Sequence, residues 1–223
     1  MIQAEVCANS IQSAIAGQRG GAYRVELCDN LHIGGTTPQY EDIKQTAQSI
    51  DIQINILIRP RGGDFVYSRS EFEVMKRDID FCGQSECNGV VFGILNHDGS
   101  IDEKRNKELL QIAREYGMNA TFHRAIDASA DIFDSLENII NLGFDRILTS
   151  GGKETAIEGK DIIRKMIKIA GDRIIIMPGG GITEENIADL VKATDLKEFH
   201  GSFRDIDKNK TDHYKVEQVI KNA

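Results

Sequence analysis

Gln3-Ala4-Glu5-Val6-Cys7 and Arg24-Val25-Glu26-Leu27-Cys28 decide the fold: both alternate polar with apolar positions, and both end on the same Glu-apolar-Cys triplet, 21 residues apart. Alternation with period two belongs to a β-strand. The interval between them holds one helix and two short turns, and Gly20-Gly21 supplies the helix stop. Working outward, β-rich runs begin near residues 2, 22, 53, 88, 119, 145, 173 and 197, each followed by apolar residues at helical spacing. Successive starts lie 20 to 35 residues apart, so the repeat is architectural rather than textual. Alternating strands and helices require a parallel sheet. Eight such units with no residues left for a second domain predict a single α/β domain over residues 1–223, closed as a (βα)8 TIM barrel. A doubly wound open sheet is the alternative, but no GxGxxG turn follows the first strand, so a dinucleotide site has no support.

The helices carry their own punctuation. Ser70-x-x-Glu73 reads as a capping box for the third helix, ahead of Met75 and Ile79 on one face. Thr37-Pro38 marks the start of the second helix and Thr183-Glu184-Glu185 that of the seventh. Gly117, Gly143 and Gly171 close the fourth, fifth and sixth, where a residue without Cβ turns the chain toward the next strand. The last helix, near Thr211 to Asn222, buries Val216, Val219 and Ile220.

Composition narrows the partners. With 27 basic against 35 acidic residues the net charge is −8, and no Lys/Arg block stands out, which argues against nucleic acid. No apolar run approaches the roughly 18 residues of a membrane span. The chain opens directly on a strand rather than a leader, and its four cysteines show no CxxC pairing, so a cytoplasmic protein with free thiols is expected.

Strand residues alternate between the helix layer and the barrel lumen, so apolar parity can be set outward and the other parity inward. Tyr23, Val25 and Leu27 then face the helices. Inward go Gln3, Glu5 and Cys7; Arg24, Glu26 and Cys28; Asn55, Leu57 and Arg59; Thr121 and His123; Arg146, Leu148 and Ser150; Glu198, His200 and Ser202. A lumen this charged needs its ions paired. The deeper members, Glu5, Glu26, Glu198, Arg24 and Arg146, suit a structural ion network. Those nearest the strand ends, Cys7, Cys28, Arg59, His123, Ser150 and His200, sit where barrels keep their sites.

Three constellations follow. Cys7 and Cys28, on adjacent strands, are expected side by side at one level, where two thiolates hold a soft ion such as Cu(I), with Glu26 and His200 as further ligands. The bland alternative is a pair of small buried hydrophobes. Glycine-rich turns, Ser150-Gly151, Gly179-Gly180 and Gly201-Ser202, can gather backbone N–H groups for phosphate, or simply permit tight turns. In Arg59-Pro60-Arg61-Gly62-Gly63-Asp64, the two guanidinium groups can clamp a carboxylate or phosphate, unless Arg61 merely pairs with Asp64. His123 and Asp127, or Glu5, are the candidates for general acid/base catalysis. Strand six offers no lumen-facing Lys for Schiff-base chemistry.

The segments Glu5-Val6-Cys7, Val25-Glu26-Leu27-Cys28-Asp29, Gly34-Gly35-Thr36-Thr37-Pro38, Ile58-Arg59-Pro60-Arg61-Gly62-Gly63-Asp64-Phe65, Phe122-His123-Arg124-Ala125, Met177-Pro178-Gly179-Gly180-Gly181 and Phe199-His200-Gly201-Ser202 resemble, in order, the CutC copper homeostasis family. The likeness runs to about residue 204, and the tail after Phe203 is shorter and more charged than the family pattern. The resemblance implies a cytoplasmic barrel linked to copper tolerance, with Cys7 and Cys28 where family thiols have been proposed to hold copper. Two functional expectations result. One is a Cu(I)-binding copper homeostasis protein. The other is an enzyme acting on a small phosphorylated or carboxylated metabolite without a copper role. A metal ion, a small anionic ligand and a homo-oligomeric partner are all compatible with the sequence.

Overall fold

The structure, a computed structural model, describes residues 2–205 and 209–223. Strands β1 (Gln3–Ala8), β2 (Arg24–Leu27), β3 (Gln53–Leu57), β4 (Gly89–Phe92), β5 (Asn119–Phe122), β6 (Arg146–Thr149), β7 (Ile175–Pro178) and β8 (Glu198–Gly201) begin within two residues of the positions read from the alternation. Between them run α1 (Ile11–Arg19), α2 (Tyr40–Ala47), α3 (Arg69–Gln84), α4 (Glu103–Glu115), α5 (Ile132–Leu142), α6 (Lys160–Ala170) and α7 (Ile187–Thr194). A short hairpin, β9 (Arg204–Asp205) with β10 (Lys210–Thr211), leads to α8 (His213–Asn222). Residues 206–208 of the charged tail lie outside the described residues.

The eight strands pair in parallel in the order β7-β6-β5-β4-β3-β2-β1-β8, the sequential winding of a (βα)8 barrel. The remaining seam is held by the parallel bridge Gly179–His200. A Cβ on Gly179 would stand 2.5 Å from Leu148 Cδ1 and 3.2 Å from His200 Cβ, so a side chain there would push Leu148 aside and crowd the closing strand. Outward-facing Val6, Val25, Ile56, Phe92, Phe122 and Phe199 are fully buried in one core with Ile43, Met75, Ile79, Leu109, Ile139 and Ile163 of the helices. Burial of each such side chain contributes about 1.5–3 kcal/mol.

Three helix starts differ from the sequence reading. The capping box of α3 is Ser68 with Glu71, not Ser70 with Glu73: Ser68 Oγ accepts the Glu71 N–H and Glu71 accepts the Ser68 N–H. Arg61 binds Glu71 at 2.6 Å and so selects between two serines that each have a glutamate three residues on. Helix α2 starts at Tyr40, because Thr37 is held extended by Arg59 through two hydrogen bonds of 2.9 Å. Helix α7 starts at Ile187, because the Asn186 side chain closes a separate turn on the Thr183 N–H and the Gly181 carbonyl. The glycine stops are as read: Gly117, Gly143 and Gly171 all have positive φ.

The amino-terminal half of the lumen is filled by an ion layer. Arg24 donates from Nε to Glu5 and from Nη2 to Glu198 at 2.6 Å, and Arg146 Nε donates to Glu198 at 2.9 Å. Asn55 donates to Glu5 at 3.4 Å and Asn119 accepts from Arg146 at 3.0 Å. Of the five residues expected here, Glu26 alone departs: it lies one step higher, beside His200. Two cations shared between two carboxylates offset each other's desolvation, and this layer is the floor on which the site stands.

Candidate functional site

Above the ion layer the lumen opens into a cavity of about 570 Å³ at the carboxyl ends of the strands, lined by Cys7, Glu26, Cys28, Arg59, His123, Leu148, Gly180, His200, Gly201 and Ser202 among others. Apart from the two glycines, these residues take the inward parity expected of them; Ser150, read to the same level, does not line the cavity and is buried against Asp127.

The thiol pair is not level. Cys7 is in register with Glu26, and Glu5 with Arg24, so Cys28 stands two residues further toward the mouth. Barrel closure demands such stagger between strands. The thiols nonetheless meet diagonally, Sγ to Sγ 3.3 Å, and Cys28 is within 3.5 Å of the Ala8 carbonyl. The compact set of ligand atoms is Cys7, Glu26 and His200, all within 4.8 Å of one another, with Cys28 attached through Cys7. His200 Nδ1 lies 2.8 Å from Glu5, which leaves Nε2 facing Glu26 at 3.6 Å. A carboxylate behind an imidazole is the arrangement that orients a histidine toward a metal.

Protons are held tightly in this cluster. The bond to Cys28, together with burial, pushes the Cys7 thiol well above its usual range. Burial raises the Glu26 carboxyl to about 7. Burial opposes charge on His200 too, but its contacts with Cys7, Glu5 and Glu26 hold it well above an ordinary histidine. Glu5 is the reverse case: burial opposes its charge, and Arg24 with His200 overcomes that and keeps it ionised far down the pH scale. Glu5 is fully buried under the cavity, so it orients His200 instead of meeting a ligand.

On the β3 side, Arg59 is 95% shielded and holds the loops together, donating from Nη1 to the Ile33 and Gly35 carbonyls and from Nη2 to that of Gly63. Arg61 points away from the cavity, tied to Asp64, Glu71 and the Val66 carbonyl. The two-arginine clamp is thus a single cavity arginine and an outer loop brace. His123, after β5, accepts the Ala125 N–H at Nδ1 (3.2 Å) and packs against Phe65 and Phe122.

The His123–Asp127 acid/base pair is not formed. Asp127 spends its oxygens on the Ser150 N–H, the Gly152 N–H, the Thr149 and Ser150 hydroxyls and Arg124 Nε. Gly151 N–H goes to Thr149 Oγ1. The backbone N–H groups of Ser150 and Gly152 are thus already taken by the chain's own Asp127 carboxylate and are not free for a ligand. Of the other glycines, Gly180 and Gly201 border the cavity while Gly179 serves the seam. Sequence reasoning set Leu57 inward but missed Phe65 and Leu31 as cavity walls. Phe65 and Leu31 sit in loops, where alternation gives no direction.

Fold and mouth together define a (βα)8-barrel protein whose carboxyl-end pocket sets two thiols against an imidazole and a carboxylate. The CutC family profile matches residues 2–205. A CutC family protein of Parabacteroides distasonis is 46% identical over 217 residues, 96% of this chain and 88% of that protein. The human copper homeostasis protein cutC homolog is 45% identical over 200 residues, 90% of this chain and 72% of that one. The crystal structure of CutC from Streptococcus agalactiae superposes with a TM-score of 0.85 at 37% identity, covering 91% of this chain and 99% of that one. The chain belongs to the CutC family.

Proposed function

We propose that this CutC protein acts in copper homeostasis by holding one Cu(I) ion between Cys7 and Cys28, with His200 and Glu26 in reach. The observation that carries the reading is the buried Sγ–Sγ contact of 3.3 Å. Soft thiolates select Cu(I). With metal–sulfur bonds of about 2.3 Å, a bridging ion needs the sulfurs to part only modestly. His200 Nε2, oriented by Glu5, supplies a third donor once it gives up its proton. Free thiols in such contact stay reduced in the cytoplasm, which is the compartment we assign. Among the described residues no helix is long and apolar enough to cross a membrane. The enzyme reading is weaker, since Asp127 is committed to its loop.

Anaerobic titration of the reduced protein with Cu(I), against a competing chelator, tests the assignment. One equivalent should bind, with release of protons, and Cys7→Ser and Cys28→Ser should each weaken binding at least about a hundredfold. Stoichiometric binding that survives the double substitution would refute the site.

A further inference from the structure

Arg59 and His123 form a stretch of cavity wall that the copper reading leaves unused. Arg59 is 5% exposed, and its partners are uncharged: three backbone carbonyls, with the Tyr67 hydroxyl also beside the guanidinium. Among the described residues no carboxylate pairs with it, and its Nε–H has no acceptor. A shielded guanidinium beside a cavity, without a counter-charge, calls for an anion. His123 is 4% exposed. Its Nδ1 lone pair is taken by the Ala125 N–H, which puts the ring proton on Nε2, and that atom also lacks a partner. Burial, reinforced by the Arg59 charge, pushes His123 down to about 3, so the ring is neutral and Nε2–H is a donor.

The two orphaned donors share one neighbour. The Phe65 ring centroid lies 4.9 Å from Arg59 Cζ and 4.9 Å from the His123 ring. Leu31 and Leu57 continue the same lining as apolar surface. Two N–H donors, one of them cationic, match the two oxygens of a carboxylate. A phosphate dianion has three free oxygens and would leave one unmet.

We infer that the wall carried by β3 and β5 binds the carboxylate of a small organic acid, with one oxygen on Arg59 Nε–H and the other on His123 Nε2–H. The Phe65 ring turns aside to admit it and, with Leu31 and Leu57, covers the apolar remainder. The inference does not depend on copper and is tested on metal-free, reduced protein. Formate, acetate, 3-phenylpropionate, its neutral amide and inorganic phosphate are titrated while the His123 Nε2 resonance of ¹⁵N-histidine-labelled protein is followed. The carboxylates should bind saturably and move that resonance, 3-phenylpropionate most tightly, with the amide at least about tenfold weaker. His123→Phe and Arg59→Lys should each weaken 3-phenylpropionate about tenfold or more, the effect of losing one charge-assisted hydrogen bond. His123→Gln, whose amide nitrogen restores a donor near Nε2, should stay within about threefold of the parent. Circular dichroism establishes that each variant is folded, and Arg59→Lys serves if His123→Phe is not. The assignment falls if no carboxylate moves the resonance, if the amide or phosphate binds as tightly as 3-phenylpropionate, or if the folded variants bind like the parent. A failed Cu(I) titration would leave these outcomes unaltered.

Discussion

Glu5 touches Arg24, His200 and Asn55 at once, so it joins the ion layer to the metal-competent cluster. Glu5→Gln leaves Arg24 with half its counter-charge and His200 without its orienting carboxylate. Breaking a buried pair in this way should remove about 3–5 kcal/mol of stability, read by urea denaturation; a loss below about 1 kcal/mol would mean the layer is not coupled as drawn. His123 sets a pH dependence. Its folded pKa of about 3 lies below the unfolded value near 6.5, so its contribution is complete above pH 6.5. As pH falls from there toward 3, the unfolded chain takes up a proton that the fold refuses, and stability drops. The urea midpoints of the parent and His123→Phe, measured from pH 7.5 to 4.5, should therefore converge as pH falls; parallel curves would contradict the buried neutral ring. Parity alone brought Cys7, Cys28, Arg59, His123 and His200 to one cavity. Their heights were not legible, because alternation records which face a residue takes and says nothing of the stagger that sets Cys7 beside Glu26.

The turn after β6 shows what an element adds to its residues. Asp127, from the short helical turn after β5, accepts two backbone N–H groups and two hydroxyls of Thr149, Ser150 and Gly152 and stitches neighbouring loops together. Asp127→Ala should cost about 2–4 kcal/mol, since several buried donors lose their acceptor together. Millimolar formate should recover part of the lost melting temperature, and a variant indifferent to formate would show that the loop collapses instead of staying open. The glycines at this turn were read as a place for an external anion; the partner of its N–H groups, Asp127, lies 23 residues from Ser150 in sequence, and local pattern does not see such partners. The cap of α3 failed for a related reason. Ser68 and Ser70 present equivalent local signatures, and only the tertiary tie from Arg61 to Glu71 separates them. Elements were legible because strand and helix periods are local. Their ends were decided by contacts from elsewhere.

At the scale of the molecule, the helix layer is completed by a segment that extends beyond the residues matched by the family profile. Helix α8 follows residue 205, buries Val216 and Val219, and packs so tightly on α1 that a Cβ on Gly20 would come within 2.5 Å of Val216 Cβ. The hairpin before it is anchored by the Thr211 N–H on Ser13 Oγ. Truncation after Asp205 should forfeit about 3–6 kcal/mol from those two valines, a large share of the 5–15 kcal/mol typical of a domain. Urea melts of the truncated chain should show an early or absent transition; an unchanged midpoint would make α8 an ornament. The interlocked arginines and glutamates of the lower lumen have a consequence for traffic. They stopper one end of the barrel, so the molecule is a well and not a conduit. Whatever reaches Cys7 must leave by the rim it entered, and any protein that loads or empties it has to dock on that single rim.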